Sequence, residues 1–251
     1  VGLHLPLLSN SPVILMASFN ADSVIKALPH ATVFMGVPTY YTRLLSSGIS
    51  PKDCANMRLF TSGSAPLLSQ TFTDWEQATG TTILERYGMT ETGMNTSNPL
   101  EGQRKKGTVG PPLPGVECRA VDASGMDVAP GETGDLWVRG ENVFHGYWQN
   151  AEKTAESFTD QGPVHGFFKT GDLASIDPEG YVTIVGRNKD LIISGGLNVY
   201  PKEIELLIDQ LDGVLESAVI GLPHPDFGES VCAVIVPTRE NDRSEDDIIS
   251  L

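Results

Sequence analysis

Basic residues are scarce in this chain of 251 residues: Lys and Arg number 17 against 32 Asp and Glu, a formal net charge of −15 and an isoelectric point near 4.6. Nucleic acid or an anionic membrane surface would have to bind against that field, so neither is expected as a partner. Cysteine is scarcer still. Cys54, Cys118 and Cys232 are odd in number, far apart and without a Cys-x-x-Cys pair, which argues against a disulfide framework or a zinc site and fits a reducing, cytoplasmic setting. Long apolar runs are missing too: Val13–Ala17 is too short to span a bilayer, and no basic stretch or small-residue cleavage pattern marks it as a signal. No Gly-x-x-x-x-Gly-Lys-[Ser/Thr] occurs, which argues against a P-loop kinase. His30, His145, His165 and His224 have neither metal-ligand spacing nor a nucleophile beside them.

What is there reads as a folded, turn-rich protein. Hydrophobic residues make up 40%, with Gly 26 and Pro 17, and the length can bury a sizeable core without covalent staples. The acidity is local. Residues 1–100 carry 5 basic and 6 acidic side chains, whereas 101–251 carry 12 and 26, so most of the negative charge is expected on solvated surface such as Glu240–Asp247. The chain opens on Val1 and closes inside Ser244–Leu251, which resembles a helix just begun with Ser244 as its cap. Both ends are therefore expected to be cut from a longer protein.

The first half alternates apolar runs with amphipathic segments. Strands are expected at 31–37, 57–61 and 81–86, and helices at 39–46 and 69–79, the pattern of a parallel α/β layer with ligands at the carboxyl ends of its strands. From Gly107 the texture changes to short strands between Gly/Pro turns, at 117–121, 135–139, 173–176 and 181–185, expected as a small antiparallel barrel or sheet. After Gly186-Arg187 come a double glycine, a helix opened by Pro201 and strands at 217–220 and 231–236. The expected organisation is an α/β layer over about 1–106, a β-rich subdomain over 107–188, and the start of a small α+β domain over 189–251.

Three segments carry candidate chemistry. Glu85-Arg-Tyr-Gly-Met-Thr-Glu-Thr92 follows a strand and combines an aromatic face, a glycine, a hydroxyl and a carboxylate, which can serve a base, a close backbone approach, a phosphate and Mg²⁺. Read without context, its Thr-Glu pair is more often a helix cap. Lys169-Thr-Gly-Asp172 sets a carboxylate beyond a glycine, able to accept both hydroxyls of a ribose, although an Asp in a surface turn is the ordinary reading. Gly186-Arg-Asn-Lys-Asp190 precedes an apolar strand and the Gly195-Gly196 turn, where charge sits at the expected domain junction.

Tyr-Gly-Met-Thr-Glu, Gly134-Asp-Leu-Trp-Val-Arg-Gly140, Lys-Thr-Gly-Asp and Gly-Arg-Asn-Lys-Asp occur in that order. Together they resemble the adenylate-forming superfamily of acyl-CoA synthetases, peptide-synthetase adenylation domains and luciferases, over essentially the whole chain. The resemblance implies a carboxylate that attacks the α-phosphate of Mg·ATP to give an acyl-adenylate and pyrophosphate, followed by displacement of AMP by the thiol of coenzyme A. It implies that Thr90 bonds the α-phosphate, Glu91 holds Mg²⁺, Tyr87 with Gly88 and Met89 flanks the adenine opposite Ser64, Ala65 and Pro66, and Asp172 and Arg187 fix the ribose. Lys189 falls at the family's hinge, and Ser194, Gly195 and Gly196 in the loop that lines its coenzyme A tunnel.

Phe60–Leu67, Met89–Pro99 and Gly107–Gly115 most resemble the malonyl-CoA and methylmalonyl-CoA synthetases. A dicarboxylate needs a cation in its pocket, since an unpaired buried carboxylate is costly. Arg43, with the Ser64 hydroxyl, matches that anchor by resemblance; Arg86 is the rival. The family's lysine-ended phosphate loop and its C-terminal adenylation lysine have no counterpart in these 251 residues, so this chain alone is expected to be a poor catalyst. The alternatives are a non-catalytic adenine-nucleotide module, or an adenylation enzyme for another acid.

Overall fold

The computed structural model describes residues 4–159, 162–211 and 213–238. Two helices, α1 (His4–Leu8) and α2 (Ala21–Ala27), precede β1 (Val33–Gly36); α2 is capped by Asn20, whose side chain accepts from the Ser23 amide. Then follow α3 (Pro38–Ser46), β2 (Leu59–Ser62), α4 (Ser69–Thr79) and β3 (Ile83–Met89). Proline opens α3 where no amide donor is needed, and Gly80 closes α4 in a left-handed conformation. β1, β2 and β3 pair in parallel with rows Phe34–Phe60–Ile83 and Gly36–Ser62–Glu85. Alternation puts both rows on one face of the sheet and Met35, Thr61 and Leu84 on the other.

Aromatic rings fill the first face. Trp75 of α4 and Tyr41 of α3 are fully buried and meet edge to face, and Trp75 also meets Phe60. The Tyr41 hydroxyl donates to the Thr61 carbonyl at 2.6 Å, which satisfies the polar end of an otherwise apolar ring.

β3 runs three residues past the expected Arg86 and turns back through β4 (Gly93–Ser97), paired antiparallel. Composition hides β4, because Gly-Met-Asn-Thr-Ser reads as a loop. Its Asn95 and Thr96 are nevertheless fully buried, so Asn95-Thr-Ser97, which matches the Asn-x-[Ser/Thr] pattern of a glycosylation acceptor, offers no accessible amide.

The remaining strands are β5 (Val116–Val121), β6 (Thr133–Gly140), β7 (Phe168–Ile176) and β8 (Val182–Arg187), with α5 (Ala151–Ser157) and α6 (Gly162–His165) between β6 and β7. They form a four-stranded sheet in sequence order, which resolves the expected barrel or sheet as a sheet. β9 (Ile192–Ser194), β10 (Leu197–Val199), α7 (Pro201–Ile208), β11 (Val214–His224) and β12 (Gly228–Pro237) follow, with sheet order β10-β9-β12-β11. Ile192, Ile208 and Val219 centre the core beneath α7. The expected helix at Ser244 lies outside the described residues, and among those described no helix is long and apolar enough to cross a membrane.

The chain divides into two compact units. The first comprises Val1–Glu117 with Gly140–Phe144 and Gly180–Val182; the second comprises Cys118–Arg139, His145–Glu179 and Thr183–Leu251. The boundary expected at 188/189 falls inside the second unit. Tyr41→Phe deprives the Thr61 carbonyl of its 2.6 Å donor in a buried setting and is expected to cost about 1–3 kcal/mol, read as a lower denaturant midpoint at unchanged slope.

Candidate active site

The Tyr87-Gly-Met-Thr-Glu-Thr92 segment is a hairpin. The Thr92 amide donates to the Met89 carbonyl at 3.3 Å and Gly93 takes φ +61°, so Thr90 and Glu91 stand side by side at the tip of a tight turn. Gly88 is required by contact: a Cβ there would overlap the Gly93 carbonyl oxygen and lie 2.9 Å from the Met94 Cα. One residue earlier the pairing slips, Tyr87 opposing Thr96 and Gly88 opposing Met94, so Asn95 is the extra residue of a β-bulge. The exposed Thr90 hydroxyl and half-buried Glu91 are hard oxygen donors, suited to Mg²⁺ when phosphates complete its shell. Among the described residues no group of three or more His, Cys, Asp or Glu could hold a metal ion unaided.

The rest of the first unit's candidates surround β2. Ser64, at φ +71°, and Ala65 are exposed and Pro66 half-buried in the loop that leaves the strand. Arg43 lies exposed on α3, and its side chain has no hydrogen-bond or ion-pair partner among the described residues. Arg86 differs. It is half-buried on the face that carries Met35 and Thr61, reaches the Met35 sulfur at 3.7 Å, and has no carboxylate partner among the described residues; desolvation pulls its pKa down, opposed by Tyr41. The Thr61 hydroxyl, on that face, is buried without a hydrogen-bond partner among the described residues.

Sequence reasoning passed over Glu85. It is 5% exposed, its carboxylate accepts from the Gly107 amide at 3.3 Å and from the Leu67 backbone, and burial pushes its pKa up to about 7. Its signal was available, since a carboxylate on the inward row of a buried strand must be desolvated.

In the second unit Lys169-Thr-Gly-Asp172 lies inside β7. Lys169 opposes Trp137 and Leu173 opposes Asp135, so three residues, 170–172, face Leu136 alone. The Thr170 hydroxyl donates to the Leu136 carbonyl at 2.7 Å and accepts from the Asp172 amide at 3.1 Å, while Gly171 takes φ +75°. This three-against-one bulge overturns the reading of Asp172 as a surface-turn residue: its side chain is 5% exposed and Oδ1 lies 3.1 Å from Nε of the half-exposed Arg187. Lys189 is exposed in a short helical turn, Asn188–Asp190, tied down by the Asn188 amide donating to Asp135 at 2.8 Å. Ser194, Gly195 and Gly196 make the β9–β10 hairpin turn; the glycines take φ +58° and +82°, and the Gly195 amide donates to the Phe227 carbonyl at 2.9 Å.

Residues 1–148 match the model of the AMP-binding enzyme family. The chain is 42% identical to a malonate–CoA ligase of Arabidopsis thaliana, covering 82% of this chain and 34% of that protein, and 39% identical to a long-chain-fatty-acid–CoA ligase of Yersinia pestis, covering 85% and 37%. Against the crystal structure of ATP-bound MatB from Rhodopseudomonas palustris it has 51% identity and a TM-score of 0.93, over 98% of this chain and 48% of that one. The chain thus spans between a third and a half of the length of these relatives.

Glu85 sets a pH dependence. Its folded pKa of about 7 lies above the ordinary 4.5, so the native state keeps a proton that the unfolded state releases. Stability therefore falls as pH rises from about 4.5 to 7, by about 3 kcal/mol in all. Glu85→Gln is expected to flatten that decline in urea titrations at pH 5, 6, 7 and 8.

Proposed function

Given that the chain belongs to the AMP-binding enzyme family, we propose that it is part of an ATP-dependent acyl-CoA synthetase for a short dicarboxylate, malonate or methylmalonate. The observation that carries this reading is the hairpin tip, where Thr90 and Glu91 present a hydroxyl and a carboxylate on a turn fixed by Gly88 and Gly93. A carboxylate nucleophile and a polyphosphate repel each other, so the first half-reaction depends on donors placed before the charges meet. Thr90 donates to the α-phosphate, and Glu91 with the phosphates holds Mg²⁺, which when bound neutralises charge on the transferring phosphate. The acid's oxygen bonds to the α-phosphorus as the bond to the pyrophosphate oxygen breaks; the coenzyme A sulfur then bonds to the acyl carbon, losing its proton, as AMP leaves.

Tyr87, Gly88 and Met89 take one side of the adenine, and Ser64, Ala65 and Pro66 the other. Asp172 accepts from the ribose hydroxyls, its buried carboxylate steadied by Arg187. The distal carboxylate falls to Arg43 and Ser64. Arg86, half-buried and without a carboxylate partner among the described residues, supports a second cation for the same anion. Lys189 serves as the hinge between half-reactions and opens the small domain of residues 189–251; Ser194, Gly195 and Gly196 admit the pantetheine arm because glycine permits close approach.

Two outcomes test this in the full-length protein. Asp172→Ala is expected to raise the KM for ATP about 100-fold, the equivalent of about 3 kcal/mol in charge-assisted bonds. Arg43→Leu is expected to lower kcat/KM for malonate by a similar factor while the KM for ATP stays within twofold, measured by pyrophosphate exchange. Unchanged malonate kinetics would remove Arg43 from the anchor, and ATP binding without any exchange would favour a non-catalytic nucleotide module.

A further inference from the structure

We infer that Asn142 is a positioning residue that holds the Thr90–Glu91 tip in its working geometry. The segment Gly140–Phe144 begins at the last residue of β6, yet it packs with the first unit, where the hairpin lies. Asn142 Nδ2 donates to the Thr92 carbonyl at 2.7 Å and lies 3.1 Å from Oδ1 of Asn95 and 3.4 Å from the Met94 carbonyl. Two residues on, the Phe144 amide donates to the carbonyl of Glu91 itself at 2.8 Å. One short segment thus grips the descending side of the turn, at the backbone carbonyls of Glu91, Thr92 and Met94 and at the side chain of the bulge residue Asn95.

The grip is itself held. The Val143 amide donates to the Gly140 carbonyl at 3.1 Å, the Val143 side chain is buried, and a Cβ at Gly140 would overlap Asn142 Oδ1 and come within 2.8 Å of the Gly115 carbonyl oxygen. Nothing but glycine leaves room there for the amide of Asn142 to point at the hairpin.

The polar count indicates function over stability. Asn142 Oδ1, Thr92 Oγ1 and Asn95 Nδ2 are all buried without a hydrogen-bond partner among the described residues. Buried polar atoms are paired in the great majority of cases, and departures concentrate where a site is being shaped. Asn142 therefore aims its side-chain amide donor at the turn at the expense of local stability, and acts on Thr90 and Glu91 through the backbone of the adjoining Thr92 and Met94.

This inference rests on the proposed roles of Thr90 and Glu91, and its test separates the two. In the full-length protein, Asn142→Asp keeps the shape, removes the donor and turns a negative charge on the carbonyls of Thr92 and Met94. Amide hydrogen exchange in the nucleotide-free, Mg²⁺-free protein is expected to rise at least tenfold across residues 90–95. The half-saturating Mg²⁺ concentration in pyrophosphate exchange is expected to rise about tenfold and kcat to fall at least 30-fold, with the KM for coenzyme A within twofold. Unchanged exchange at the turn, or raised exchange with kcat within twofold of the parent, would overturn the inference. Glu91→Gln is the control: if it leaves the Mg²⁺ requirement unchanged, the metal role of Glu91 fails, and hydrogen exchange together with kcat of Asn142→Asp decides the clamp alone. Should Asn142→Asp not fold, Asn142→Ser, which loses the reach and adds no charge, is read by the same measurements.

Discussion

Position 88 has no room for a side chain, because the Gly93 carbonyl occupies the space a Cβ would take. The rest of the hairpin depends on that contact. With β3 and β4 pressed together at Gly88, the chain reverses within three residues and brings Thr90 and Glu91 to the tip. The bulge that follows turns the Asn95 amide inward, where Asn142 meets it at 3.1 Å. A hydroxyl and a carboxylate that would wander on a free loop are held by hydrogen bonds from one segment distant in sequence, Gly140–Phe144. Preorganisation of this kind is how donors act on developing charge without reorganising at the moment of reaction.

Charge is placed with similar economy. The first hundred residues are nearly neutral, and Arg86 there is half-buried with no carboxylate partner among the described residues. In the acidic remainder, Asp172 is buried and ion-paired with Arg187. The net charge of −15 is therefore no obstacle to anionic ligands, since long-range repulsion is screened within about 10 Å whereas a half-buried cation acts at contact. Glu85 shows the opposite solution, a carboxylate drawn into the layer until it holds its proton near neutral pH, fastening the loops at Leu67 and Gly107 to β3.

Much of this was legible in the residues. The amphipathic run of α4 matches its helix from Ser69 to Thr79, and the parallel order of β1, β2 and β3 follows from apolar runs separated by helices. Harder to read was anything that depends on what lies opposite. β4 is polar because its side chains bond to loops, as Thr96 does to the Val109 carbonyl at 2.9 Å, so no alternation marks it. Lys-Thr-Gly-Asp looks like a turn because this bulge, like a turn, places a glycine in the left-handed region, Gly171 at φ +75°. Asn142 carries no local signal at all; its partners are some fifty residues away. Arg43 and Arg86 are both visible as arginines, but only the fold shows one exposed and the other half-buried.

Gly140–Phe144 lies between two stretches of the second unit and yet belongs to the first. For the exchange of parts between related chains, the seam is therefore not a single point. A stretch of chain from 118 onward brought in from a relative carries its own five-residue brace, which must fit the recipient's hairpin at Glu91, Thr92 and Asn95. A crossover at Glu117 alone would set the hairpin of one parent against the brace of the other. Inheritance of the tip geometry is thus tied to residues that a linear map of the chain assigns to the other half.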